Sequence, residues 1–238
     1  MVAPVTKTEL DRIKDVYLGR IRHRVIDGYS PFAPGELYML QRREEETLRL
    51  LVKHGRTDLK DLRILEVGCG RGARLLDWCR WGATPSLLHG IDLMEPFIRE
   101  GLSLLPSSNL IVGTADRLPY RDRTFQIVAQ LTVFTSILSE ELKRAVAAEM
   151  CRVTAPGGLI VWYDLRYPNP RNPDVRAIGL REIRRLFDGW SADVRSLTLL
   201  PPLARKLARL SVSACRLLEL TLPPLRSHYI AVLRKEGP

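Results

Sequence analysis

The chain has 238 residues, 45% of them hydrophobic and 27% charged, with a formal net charge of +10. That length suits one α/β domain with appendages and can bury a full core without metal or disulfide support. Cysteines at 69, 79, 151 and 215 show no paired or metal-ligating spacing, the N-terminal stretch has no apolar signal core, and no apolar run is long enough to span a bilayer. A reduced, cytoplasmic protein with no metal is expected. The excess of Lys and Arg predicts attraction to anions such as nucleic acid, anionic lipid or a phosphorylated substrate, or else a basic surface with no such partner.

Residues 8–26 read as a helix, with Leu10, Ile13, Val16, Tyr17, Ile21 and Val25 near one stripe. Pro31 and Pro34 break it, and a second helix is expected over 36–53, burying Leu37, Leu40, Leu48 and Leu51. A strand over 63–67 then runs into Gly68, Gly70 and Gly72, followed by an apolar-periodic helix over 73–81. Glycines at a strand-to-helix turn let a ligand press against bare main chain at a helix N-terminus. The spacing Gly68-x-Gly70-x-x-Ala73 also satisfies a dinucleotide fingerprint. Glu66 separates the two readings: a carboxylate so close to a pyrophosphate has little use, whereas a ligand with a cationic amino acid end needs one.

Glu66-x-Gly68-x-Gly70-x-Gly72 resembles the first motif of the class I S-adenosylmethionine-dependent methyltransferases. The resemblance implies a Rossmann-like α/β fold with a seven-stranded, mostly parallel sheet, an antiparallel last strand and helices on both faces. It also implies an N-terminal helical lid over residues 1–58 and a cofactor-binding domain over 59–238. The next strand, 87–91, ends at Asp92 within Gly90-Ile91-Asp92-Leu93, which resembles the second motif, where the acid accepts hydrogen bonds from ribose hydroxyls. A helix over 95–104 and a strand over 109–112 follow. Gly113-Thr114-Ala115-Asp116-Arg117-Leu118-Pro119-Tyr120 then resembles the adenine loop, with Thr114 where the family has an acid, so Ala115 main chain and Asp116 are assigned to adenine. Asp116 is alternatively a turn residue before Pro119.

A strand over 125–130 leads to residues 131–136, the expected floor where cofactor meets acceptor. Neither the Pro-Pro-Tyr motif of amino-methylating relatives nor a Pro-Cys nucleophile stands there. Ser139 is expected to cap a helix reaching about 153. Arg152-Val153-Thr154-Ala155-Pro156-Gly157-Gly158 resembles the turn before the fifth strand, here 159–163. Arg166, Arg171 and Arg176 surround a proline-rich loop, either to hold an anionic acceptor or as a solvated surface. After a short helix over 180–187 and a strand over 194–199 comes an insert at about 200–224. In it Leu203, Leu207, Leu210, Ala214, Leu217 and Thr221 form one helical stripe and Lys206, Arg209, Ser213 and Arg216 another. This basic amphipathic helix packs on its own sheet or in a homodimer, walls the acceptor pocket, or touches a membrane surface. A last strand over 227–234 completes the sheet.

The resemblance implies S-adenosylmethionine as cofactor and S-adenosylhomocysteine as product, held by Glu66, Gly68, Cys69, Gly70, Gly72, Asp92, Leu93, Ala115, Asp116 and Gln130. The expected reaction is O-methylation of a small or medium acceptor, anionic or lipid-linked as in a glycan intermediate, with Asp164, His23 or His228 as general base. An RNA-directed methyltransferase and an NAD-dependent oxidoreductase are the alternative readings.

Overall fold

The computed structural model describes residues 7–23, 30–170 and 172–235. Two helices, α1 (Lys7–Arg22) and α2 (Pro34–Lys53), precede the first strand. The expected helix over 8–26 is described to Arg22, and its stretch over 24–26 lies outside the described residues. The alternating part follows as β1 (Ile64–Val67), α3 (Ala73–Arg80), β2 (Leu88–Asp92), α4 (Glu95–Leu104), β3 (Asn109–Val112) and β4 (Phe125–Leu131). It continues through α5 (Glu140–Val153), β5 (Thr154–Leu165), α6 (Leu180–Leu186) and β6 (Trp190–Leu199). The insert forms α7 (Pro201–Leu207) and α8 (Val212–Thr221), and β7 (Arg226–Lys235) closes the order.

The described strands form one sheet in the order β3-β2-β1-β4-β5-β7-β6. All neighbours pair in parallel except β7, which runs antiparallel to both β5 and β6. Helices cover both faces, so the central strands read as continuous apolar runs rather than alternating ones. On one face Ile64, Ile127, Val161, Tyr163 and Val232 pack with Leu50, Leu51, Leu75 and Trp78 of α2 and α3. On the other, Leu65, Val67, Val128, Trp162 and Leu233 pack with Leu142, Val146, Met150 and Phe187. Because side chains alternate along a strand, Glu66 shares its face with Ile64.

Local chemistry sets the helix ends near the cleft. Ser139 caps α5 by accepting the Leu142 N–H at 3.2 Å, and Glu140 and Glu141 occupy the positive end of its dipole. The insert differs from the single helix expected. Ser211 caps α8, its hydroxyl accepting the Ala214 N–H at 3.1 Å, and so starts a new helix with a new phase. The inward residues are therefore Ala204, Ala208, Cys215 and Glu219, which pack with Tyr38 and Leu199, while Leu210 and Leu217 of the expected stripe point outward.

The insert joins the carboxyl end of β6 to the start of β7, which places it at the carboxyl edge of the sheet. The glycine turn after β1, Asp92 at the end of β2 and the loop after β4 stand at the same edge. Ligands in open α/β sheets bind in the crevice outside this edge.

Candidate active site

Gly68, Gly70 and Gly72 all adopt left-handed backbone angles, with φ of 68°, 53° and 76°. Gly68 is constrained twice. Its N–H donates to the Ile91 carbonyl at 2.8 Å, and a Cβ placed on it would stand 2.4 Å from Val133 Cγ2. Only a glycine fits between β2 and the loop after β4.

Asp92 holds this turn in place. Its Oδ2 accepts the Gly70 N–H at 2.8 Å and its Oδ1 the Met94 N–H at 2.9 Å. Burial raises its pKa, and the N–H groups of Met94, Gly70 and Leu93 oppose that rise. The carboxylate lines the cleft, so its remaining lone pairs are open to ligand hydroxyls.

Glu66 is 2% exposed, and its Oε2 has no hydrogen-bond partner among the described residues. Burial pushes its carboxyl up to about 8, against the pull of Arg74 on α3 and Arg43 on α2, with Asp77 and Asp92 adding to the rise. Arg43 is itself brought down to about 10 by burial, with Arg74 nearby, and its guanidinium lies 5.5 Å over the Tyr163 ring. A buried carboxylate oxygen without a donor, two turns of bare backbone and a half-buried acid at the next strand end fit a ligand with an ammonium group and a ribose.

The cleft encloses a cavity of about 200 Å³. Gly68, Gly70, Asp92 and Thr114 line it. Most of the remaining wall is apolar, including Leu10 and Ile13 of α1, Phe97, Leu131, Val133 and Ile137. Helix α1 is tied down over it: Leu138 N–H donates to Glu9 at 2.7 Å, Arg12 donates to the Ser136 carbonyl at 2.7 Å, and Tyr17 Oη lies 3.3 Å from Ser136 Oγ. Of the two N-terminal helices only α1 lines the cavity, since α2 packs on β6, β7 and α7. At the cavity floor Thr132 adopts φ 60°, a left-handed angle costly for a branched residue, fixed by its N–H on the Tyr163 carbonyl at 2.7 Å.

The remaining residues singled out in the sequence stand behind this wall. Cys69 is buried, with its Sγ against Gly90 and Leu110 on the side away from the cavity, and burial pushes its thiol up. Gly72 caps α3 beside Leu105. Asp116 does not line the cavity, and its Oδ1 is buried without a partner. Gln130 is fully buried and pins the floor, its Oε1 accepting the Val133 N–H at 3.0 Å. Asp164 is 1% exposed and accepts the N–H groups of Thr135 at 3.2 Å and Leu165 at 3.1 Å; burial pushes it up to about 7.

His228 is stacked 4.7 Å from Tyr163, with Nδ1 2.7 Å from Thr198 Oγ1, and burial brings it down to about 3. His23 is exposed just beyond α1. None of Asp164, His23 and His228 lines the cavity. Arg166 stacks on Tyr167 and Tyr229 and donates to the Pro223 carbonyl, Arg176 pairs with Glu140 and Glu182, and Arg171 lies outside the described residues.

Thr132 lies in the floor expected over 131–136, whereas nothing in the sequence marks Arg43 or Arg74. Arg43 sits in the run Arg42-Arg43-Glu44-Glu45-Glu46, which reads as a solvated face, and no local spacing marks it. The lid contacts were visible only as the Leu10, Ile13, Tyr17 stripe.

The strand order, the antiparallel β7 and the glycine-acid cleft define an α/β domain built around a nucleoside-bearing cofactor, and comparison with known proteins agrees. Residues 64–158 match the family model described as a methyltransferase domain. A phthiotriol/phenolphthiotriol dimycocerosates methyltransferase of Mycobacterium tuberculosis is 33% identical over 132 residues, which is 53% of this chain and 47% of that one. A sterol 4-C-methyltransferase of Caenorhabditis elegans is 27% identical over 141 residues, 55% of this chain and 40% of that one. The chain thus spans about half the length of these relatives.

Among solved structures, a TehB-like methyltransferase of Corynebacterium glutamicum superposes with a TM-score of 0.54 at 15% identity, covering 93% of this chain and 97% of that one. The [4+2]-cyclase SpnF superposes with a TM-score of 0.57 at 19% identity, covering 80% and 82%. At such identities the likeness is one of fold alone. Over residues 64–158 the chain is similar to S-adenosylmethionine-dependent methyltransferases. S-adenosylmethionine is the cofactor of such methyltransferases; Gly68, Gly70 and Asp92 line the cavity, whereas the buried Glu66 is not among its lining residues.

Proposed function

We propose that this chain transfers the methyl group of S-adenosylmethionine to a hydroxyl oxygen of an apolar, lipid-like acceptor seated beneath α1. When bound, the cofactor supplies an electrophilic methyl on a sulfonium with a thioether as leaving group. The chain's own work is alignment and water exclusion. Glu66 and Asp92 fix the donor. The apolar wall that Leu10, Ile13 and Ile137 contribute takes the acceptor and keeps water out. Tyr17 and Ser136, paired above the floor, hold the acceptor hydroxyl. Among the described residues the wall holds no carboxylate other than Asp92 and no imidazole, so the proton released by the acceptor oxygen passes to water ordered by this hydroxyl pair.

The apolar wall that α1 adds to the cavity is the single observation that carries this reading. The names of the mycobacterial and sterol relatives support a lipid-like acceptor, though the sterol relative's name specifies methylation at carbon. The test incubates the full chain with methyl-labelled cofactor and a panel of long-chain polyols and sterols, reading alkali-stable label in the organic phase. Label is expected there, and Ile13→Gln should abolish it while S-adenosylhomocysteine affinity is kept. Label found only in nucleic acid, or lost label in Ile13→Gln because cofactor binding failed, would contradict the acceptor assignment.

A further inference from the structure

Helices α7 and α8 are held rigidly from the inside. Glu219 of α8 is 2% exposed and receives Arg42 Nε at 2.9 Å, Arg42 Nη2 at 3.0 Å, the Thr198 N–H at 3.2 Å and the Tyr38 hydroxyl. The backbone of α7 lies so close to α2 that a Cβ on Gly35 would stand 2.6 Å from Arg205 Cα. The inner face of the insert is thus already satisfied.

Its outer face is apolar. Leu210 is 86% exposed, Leu220 67%, Leu217 61% and Leu222 43%. Leu217 and Leu220 stand three apart on α8, opposite the buried Cys215 and Glu219. A lone exposed leucine carries no information, but four within residues 210–222 do. Cations flank them. Arg205 and Arg216 are paired with Glu36 and Glu45, whereas Lys206 and Arg209 are exposed and no ion pair is recorded for them among the described residues. Exposed leucines next to exposed cations match an anionic interface with an apolar interior in both charge and hydropathy. Among the described residues no helix is long and apolar enough to cross a membrane, so the contact would lie along the surface.

We propose that the outward face of α7 and α8 seats the protein on an anionic bilayer, Leu210, Leu217 and Leu220 entering the headgroup boundary while Lys206 and Arg209 meet lipid phosphates. The insert stands at the same carboxyl edge of the sheet as the cofactor cleft, so seating it brings that edge toward the lipid. The inference goes beyond the acceptor assignment and does not require it.

The test uses the full chain and sucrose-loaded vesicles of phosphatidylcholine, with and without roughly one-third phosphatidylglycerol. Sedimentation with the anionic vesicles is expected, weakening as salt is raised. The variant Leu210→Ser/Leu217→Ser/Leu220→Ser should bind them at least about tenfold more weakly, with S-adenosylhomocysteine affinity and melting temperature unchanged. Lys206→Glu/Arg209→Glu should lose the preference for anionic vesicles. Equal sedimentation of wild type and leucine variant would overturn the proposal. So would a wild-type dimer that the leucine variant converts to monomer without any vesicle binding, which would give the face to a second copy. Either result, with S-adenosylhomocysteine binding intact, leaves the methyltransferase reading standing.

Discussion

Asp92 Oδ2 accepts the Gly70 N–H at 2.8 Å, so the acid that ends the second strand also fastens the glycine turn that follows the first. The same carboxylate takes the Met94 N–H through Oδ1. Asp92→Ala leaves two backbone donors unpaired and should lower stability by about 1–3 kcal/mol. Asp92→Asn keeps one acceptor and should cost less. Denaturant unfolding of the cofactor-free protein measures both, and an unchanged midpoint for Asp92→Ala would contradict the fastening role.

Gly68 and Val133 form the second constraint on the turn. Gly68→Ala meets a left-handed φ of 68° and a side-chain contact of 2.4 Å, and the variant should lose about 2–4 kcal/mol from strain and overpacking together. Val133→Ala removes the contact and leaves the strain. The double variant should therefore recover part of the loss, a coupling that a thermodynamic cycle on unfolding free energies reads directly. Strict additivity would mean that Val133 can move aside.

Glu66 makes stability and cofactor affinity depend on pH in opposite directions. An ordinary glutamate titrates near 4.5, and burial pushes Glu66 up to about 8. Between these values the folded state keeps a proton that the unfolded chain has released, so the contribution of Glu66 is full below pH 4.5 and is lost as pH rises through 8. An ammonium group bound beside Glu66 favours the ionised form instead. S-adenosylhomocysteine binding should release a proton near pH 7, and affinity should climb with pH toward 8 by up to about tenfold per unit. Glu66→Gln should flatten both profiles. Calorimetry in buffers of different ionisation enthalpy counts the proton.

Glu219 binds the insert to α2 through Arg42 and Tyr38. Glu219→Ala leaves Arg42 with Glu45 alone and strands the Thr198 N–H and the Tyr38 hydroxyl, and should cost about 1–3 kcal/mol, with hydrogen exchange accelerated in α8 before the central strands. Protection lost equally throughout the sheet would place the effect elsewhere.

The glycine turn and its contact with Asp92 were readable because they are written in local spacing. Three glycines after a strand dictate backbone angles, and an acid at the next strand end meets the turn whatever the rest of the chain does. Asp164 shows where such reading stops: an acid just past β5 can face a cavity or accept the N–H groups of the next loop, and the packing of residues 134–136 decides for the loop. Arg43 is another case, since its burial depends on α2 crossing the sheet face that carries Glu66. In the insert, one serine cap at 211 resets the helical phase, and a stripe counted across it sends Leu210 and Leu217 to the wrong side.

Isothermal titration of the full chain with S-adenosylhomocysteine and with NAD tests most directly that Glu66, the glycine turn and Asp92 form a methyl-donor site. Micromolar or tighter S-adenosylhomocysteine binding is expected, weakened about 100-fold by Asp92→Ala, with no measurable heat from NAD. Preference for NAD, or S-adenosylhomocysteine affinity untouched by Asp92→Ala, would contradict it.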